Sequence, residues 1–240
     1  MNAELLTHAV TITASFGVGL PILRKAWRAQ DRVGTLLALS LVLDGLEWSF
    51  WALHLYLPAS SPALRDGFAT ACRLGISAAV LCMGLFTWRA FRPRSRTAQG
   101  VLGLLVAAMA LGFVGSGMVG DWRGFRSDHP WIWLEVGAQI LIYGWACAES
   151  LTFYLRLRKR VNVGLGDPVL ANRFLLWALY AGGFFVSQIA FALALASPDG
   201  YTNLDPLSIA LTLLGVGALW LAFFPPTGYR AWLRGGHAPS

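Results

Sequence analysis

The chain has 240 residues, 56% of them hydrophobic and only 13% charged, with a formal net charge of +7. Charged residues at about half their usual share exclude an ordinary soluble domain. Apolar blocks of about twenty residues, with no alternation, exclude a barrel of strands, and basic residues scattered in four short clusters exclude a nucleic-acid surface.

A helix needs roughly 20 residues to cross ~30 Å of hydrocarbon. The blocks therefore predict seven spans, at about 5–23, 33–57, 63–90, 98–119, 131–155, 172–196 and 206–224. Short connections predict antiparallel neighbours in one bundle and a single seven-helix transmembrane domain over 1–240. The first block follows Met-Asn-Ala-Glu and precedes Arg24, Lys25 and Arg28. That is the reverse of a signal peptide, and it predicts a retained span with the N-terminus outside.

The second span carries Asp44, Glu47, Trp51 and His54 at spacings of three, four and three, one helical stripe. The third carries Asp66, Arg73 and Ser77, again on one stripe. These two helices are joined by the short turn from Pro58 to Pro62, so residues equidistant from position 60 share a depth. Glu47 then lies level with Arg73, which predicts an ion pair, and His54 with Asp66, which pair if the imidazole is protonated. Ionisable groups at mid-membrane cost roughly 2.5–3.5 kcal/mol on insertion scales, so each is a functional candidate.

In the fourth span Gly112, Ser116 and Gly120 recur at four-residue spacing. Small residues so placed bring helices together, either within the bundle or in a homodimer seam through this helix. The fifth carries Glu135, Gln139 and Glu149 on one stripe, the two carboxyls about 21 Å apart at 1.5 Å per residue. Glu135, with His54 and Asp66, is expected at a solvated outer position, and Glu149 beside an inner arginine. Gln188 lies deep in the sixth span, which Asp167-Pro168 introduces as N-cap and first helical residue. Asp205-Pro206 does the same for the seventh, and Pro225-Pro226 ends it. Tyr229, Arg230, Trp232 and Arg234 form a tail suited to the headgroups. Trp122, Trp131 and Trp133 predict an outer aromatic belt, and Trp27, Trp88 and Trp232 an inner one. The first three spans and the last three share a layout of helix, basic loop, helix, outer loop, helix.

The four basic clusters, Arg24–Arg32, Arg89–Arg96, Arg156–Arg160 and Arg230–Arg234, are separated by two spans each time. With Arg173 they place 15 Lys and Arg on one side, against Arg65, Arg123 and Arg126 on the other; Arg73, within a span, completes the 19. This asymmetry predicts a cytoplasmic C-terminus in a plasma membrane, the inner membrane of a bacterium. Attraction to an anionic inner leaflet follows from the same charges.

Cofactors are not expected. His8, His54, His129 and His237 fall on different segments, so no bis-histidine haem site or His-x-x-x-His metal pair forms. Lys25 and Lys159 are the only lysines and lie outside the spans, which excludes a retinal imine. Cys72, Cys82 and Cys147 all fall within spans and imply no disulfide framework. In span count and orientation the layout resembles G-protein-coupled receptors and the small sugar transporters of the SWEET type. Residues 120–130 lack the receptors' outer-loop cysteine, however, and the transporters' Pro-Gln motif is absent.

Three functions fit these residues. One is binding or transport of a small molecule inside the bundle, proton-linked through Asp44 and Glu47, with Trp51, Arg73, Ser77, Gln139 and Gln188 as further candidates. Another is a sensor or accessory subunit that signals through a cytoplasmic partner by way of the loop from Arg156 to Arg173. The third, a lipid-modifying enzyme, lacks any visible nucleophile or metal cluster. Cysteines placed singly at 94, 159, 121 and 199 test the orientation. An impermeant reagent on intact cells should leave 94 and 159 unlabelled, and labelling of 94 but not 199 reverses it.

Overall fold

The computed structural model describes residues 3–58, 61–123, 128–197 and 205–235, and in these it is all-helical. Arg126, Asp199 and His237 lie outside the described residues. The helices are α1 (Ala3–Arg28), α2 (Arg32–Tyr56), α3 (Pro62–Phe91), α4 (Arg96–Met118), α5 (Pro130–Asn162), α6 (Pro168–Ala196), α7 (Asp205–Phe223) and α8 (Thr227–Gly235). Each predicted span coincides with one of the first seven. By length and composition α2, α3, α4 and α6 can cross a membrane, an architecture consistent with a polytopic integral membrane protein.

Local chemistry explains where the helices begin. The Asp31 side chain accepts from the amides of Val33 and Gly34, and Asp167 accepts from Val169. Ser95 caps α4 through the Ala98 amide. Pro62, Pro130 and Pro168 stand at first helical positions, where a missing N–H costs no bond. The ends are equally specific. After α1, Gln30 takes a left-handed φ of 51° and the Asp31 amide reaches back to the Ala26 carbonyl at 2.9 Å. After α5, Gly164 has φ 73° and the Leu165 amide reaches the Arg160 carbonyl at 2.8 Å. Both corners thus close the preceding helix in the same way and cap the next with aspartate.

Packing runs in a ring: α1 on α2, α2 on α3, α3 on α5, α5 on α6, α6 on α7, and α7 back on α1. Helix α4 lies against α5 and, more lightly, α3. The core gathers Val18, Leu41, Val80, Met83, Ile142, Tyr143, Tyr180 and Leu219 from around the ring. Toward the basic end, Phe86 and Phe91 of α3, Phe153 of α5, Phe174 and Trp177 of α6 and Phe223 of α7 join ring to ring at 4.9–6.2 Å.

The small-residue stripe of α4 is used inside the chain. A Cβ at Gly112 would meet the Trp131 carbonyl at 2.7 Å and the Glu135 amide at 2.9 Å, and Ser116 is fully buried. Gly115 leaves room for the Trp131 ring, which is therefore packed against α4. Of the expected outer belt, Trp122 and Trp133 are exposed; of the inner, Trp27 and Trp232.

Because backbone lies opposite Gly112, Gly112→Ala forces α4 and α5 apart. It should cost about 1–3 kcal/mol. Gly103→Ala, with no atom within 4 Å of the added carbon, should cost nothing. Thermal unfolding of the two variants in detergent checks the difference.

Candidate functional site

Two buried polar clusters occupy the interior, and they divide the candidate residues between them. The first centres on Arg73, 6% exposed, the one buried Lys or Arg among the described residues. Its Nε donates to Glu135 Oε2 at 2.9 Å, and Nη2 donates to the same oxygen and to Ser116 Oγ at 3.0 Å. Nη1 donates to the carbonyls of Asp121 (3.0 Å) and Trp122 (3.4 Å). Every guanidinium nitrogen thus has an acceptor. The Phe113 ring lies 5.0 Å from the guanidinium carbon. Glu135 Oε1 stands 2.8 Å from the Ser77 hydroxyl, which also reaches the Arg73 carbonyl at 2.9 Å.

This overturns the expected Glu47–Arg73 pair. Helix α3 turns Cys72 and Gly75 toward α2, while Arg73, about 100° round the helix from Cys72, and Ser77 face α4 and α5. It also corrects Glu135, which is buried rather than solvated. His54 does not pair with Asp66. Its Nδ1 is 2.9 Å from the Arg65 carbonyl, and Asp66 takes the Arg123 guanidinium at 3.3 Å. Asp121 is buried beside His129, Nε2 to Oδ2 3.2 Å. Glu149 does pair with an inner arginine, Arg92, at 2.8 Å.

The second cluster holds Asp44 and Glu47, 5% and 9% exposed. Ser15 of α1 donates to Asp44 Oδ2 at 2.7 Å, and the Cys72 thiol of α3 lies 3.7 Å from Glu47 Oε1. Gly75 makes this approach, since a Cβ there would meet the Glu47 Cβ at 3.1 Å and Cα at 3.2 Å. Tyr143 of α5 and Tyr180 of α6 lie within electrostatic reach of both carboxyls, and Phe184 stacks near both rings at 5.2 and 4.9 Å. Among the described residues no cation pairs with either acid. A charge left on them in a low-dielectric interior has to be neutralised by a proton or a bound cation.

The remaining candidates stand apart. Trp51 stacks on His54 at 5.2 Å, toward the C-terminal end of α2. Gln139 and Gln188 are buried and make no side-chain hydrogen bond among the described residues. Sequence reasoning did not single out Ser15, Cys72, Tyr143 or Tyr180, because a hydroxyl or thiol is cheap to bury and leaves no cost to notice. Among the described residues no group of three His, Cys, Asp or Glu could hold a metal. Compared with known proteins, the chain matches no family model, no curated protein and no solved structure.

The two clusters predict opposite responses to neutralisation. Arg73→Met leaves Glu135 without its cation and should cost about 3–5 kcal/mol, the usual consequence of breaking a buried pair. Arg73→Met with Glu135→Leu should recover most of that loss, whereas Glu47→Gln should leave stability unchanged. Denaturation of the three variants in one detergent checks the order.

Proposed function

We propose that this is a seven-span membrane protein, N-terminus outside and C-terminus cytoplasmic, that binds and moves a small molecule through its bundle with proton coupling at Asp44 and Glu47. The single domain of 1–240 and a plasma-membrane location belong to the same reading. One observation carries it: two carboxyls, one helical turn apart, are buried at mid-helix with neutral donors alone as partners. Structural carboxyls in this chain look different, since Glu135 is bound to a cation and held by Ser77.

Chemically, an acid pair of this kind takes up a proton on one side and releases it on the other once its surroundings change. Ser15, a hydroxyl, can turn from donor to acceptor and so serve either state of Asp44. Tyr143 and Tyr180 bring two further hydroxyls into the same region. Aromatic rings of α3, α5, α6 and α7 pack against one another between the acid pair and the basic end. The orientation is supported by the 15 basic residues gathered on one side of the predicted spans.

Proteoliposomes with an entrapped pH dye test the coupling. Radiolabelled sugars, amino acids and amines are offered in turn under an imposed proton gradient. Uptake of one of them should move protons in the wild type and be lost in Asp44→Asn and Glu47→Gln. Uptake that both variants leave intact overturns the proposal.

A further inference from the structure

The ring of helices is built from two alike triplets, α1–α3 and α5–α7. Each has a first corner closed by a left-handed residue, Gln30 or Gly164, and then an aspartate cap on the second helix, Asp31 or Asp167. Each packs its second helix against the first and third. The triplets meet along two seams, α3 against α5 and α7 against α1, and these are made very differently.

The α3–α5 seam is bolted by a buried ion pair near one end and joined by a partly exposed one near the other. Arg73 and Ser77 hold Glu135 near one end, and Arg92 holds Glu149 at 2.8 Å near the other. Met83, Ile142 and Phe86 fill the middle. Helix α4 braces the outer bolt through Ser116, and the Asp121 and Trp122 carbonyls that follow it do the same.

The inner part of the α1–α7 seam, from Thr13 of α1 onward, is apolar. Val18 and Leu219 share the core there, and beside them lies an open groove of about 480 Å³ between Thr13, Gly17 and Trp220. Nothing lies within 4 Å of a carbon added at Gly17. Apolar helix contacts in a bilayer compete with lipid tails of equal character, so separating them loses little. Separating buried charges strands an ion in hydrocarbon.

We infer that the triplets hinge along α3–α5 and part along the inner α1–α7 seam, so that the interior holding Asp44 opens sideways, between α1 and α7. The Ser15–Asp44 hydrogen bond ties α1 to α2 and keeps α1 with its own triplet as the seam parts. On the other side Asn172 Nδ2 donates to the Tyr229 hydroxyl at 2.8 Å and ties α6 to α8, which follows α7. The motion is a property of the ring and does not depend on what the acid pair carries.

Spin labels in lipid nanodiscs test it, with Cys72, Cys82 and Cys147 replaced by alanine. One pair of labels, at Leu20→Cys and Leu214→Cys, spans α1–α7; the other, at Leu74→Cys and Leu141→Cys, spans α3–α5. All four sites are exposed. The α1–α7 pair should give two distances or one broad distribution, and the α3–α5 pair a single narrow one. Adding Glu135→Gln to the second pair should broaden it. A narrow single distance across α1–α7, or spread across α3–α5 as wide as across α1–α7, overturns the hinge. Because the readout is distance, the proposed proton coupling can fail while the hinge stands, and the reverse.

Discussion

Neutralising buried charge is the constraint on which the interior depends. Among the described residues one Lys or Arg is buried, Arg73, and it is given to Glu135. That choice fixes α3 against α5 and ties in the end of α4 through Ser116 and two backbone carbonyls. It also leaves Asp44 and Glu47 without a cation among the described residues, beside neutral groups such as the Ser15 hydroxyl and the Cys72 thiol. A bundle that needed only to hold together could have spent fewer acids. The two left over are therefore where the fold tolerates a cost that packing does not require.

Most of the fold was legible in the sequence. Helix positions, the aspartate caps at Asp31 and Asp167 and the pairing of Glu149 with an arginine near the basic end follow from hydropathy, charge and helix punctuation, all of which are properties of a segment by itself. Depth was legible as well. The hairpin argument set Glu47 level with Arg73, and the structure puts Cys72 and Gly75, beside Arg73, against Glu47.

Rotation about the helix axis was not legible in the same way. Neighbouring residues on a helix differ by about 100°, so Cys72 and Arg73 share a depth and face different partners. Rotation is decided by where a helix can approach most closely, here by Gly75 against α2, and that depends on the neighbour's surface. Glu135 was misread for a related reason. Its position close to the start of α5 suggested water, but α4 and the chain after it fold over that end, with Gly112 admitting the α5 backbone.

The Arg73–Glu135 pair also imposes an order on how the chain is made. Sixty-two residues separate the partners, so at about 5–20 residues per second synthesis of α5 trails that of α3 by roughly 3–12 s. Over that interval Arg73 has no carboxylate to meet on α4, whose contribution is a hydroxyl and, beyond it, backbone carbonyls. The contact between α3 and α5 is therefore completed only once the fifth helix has been made. Assembly of that end of the bundle is in this sense a late event, and a chain interrupted before residue 135 leaves the Arg73 guanidinium without the carboxylate that it meets in the finished fold.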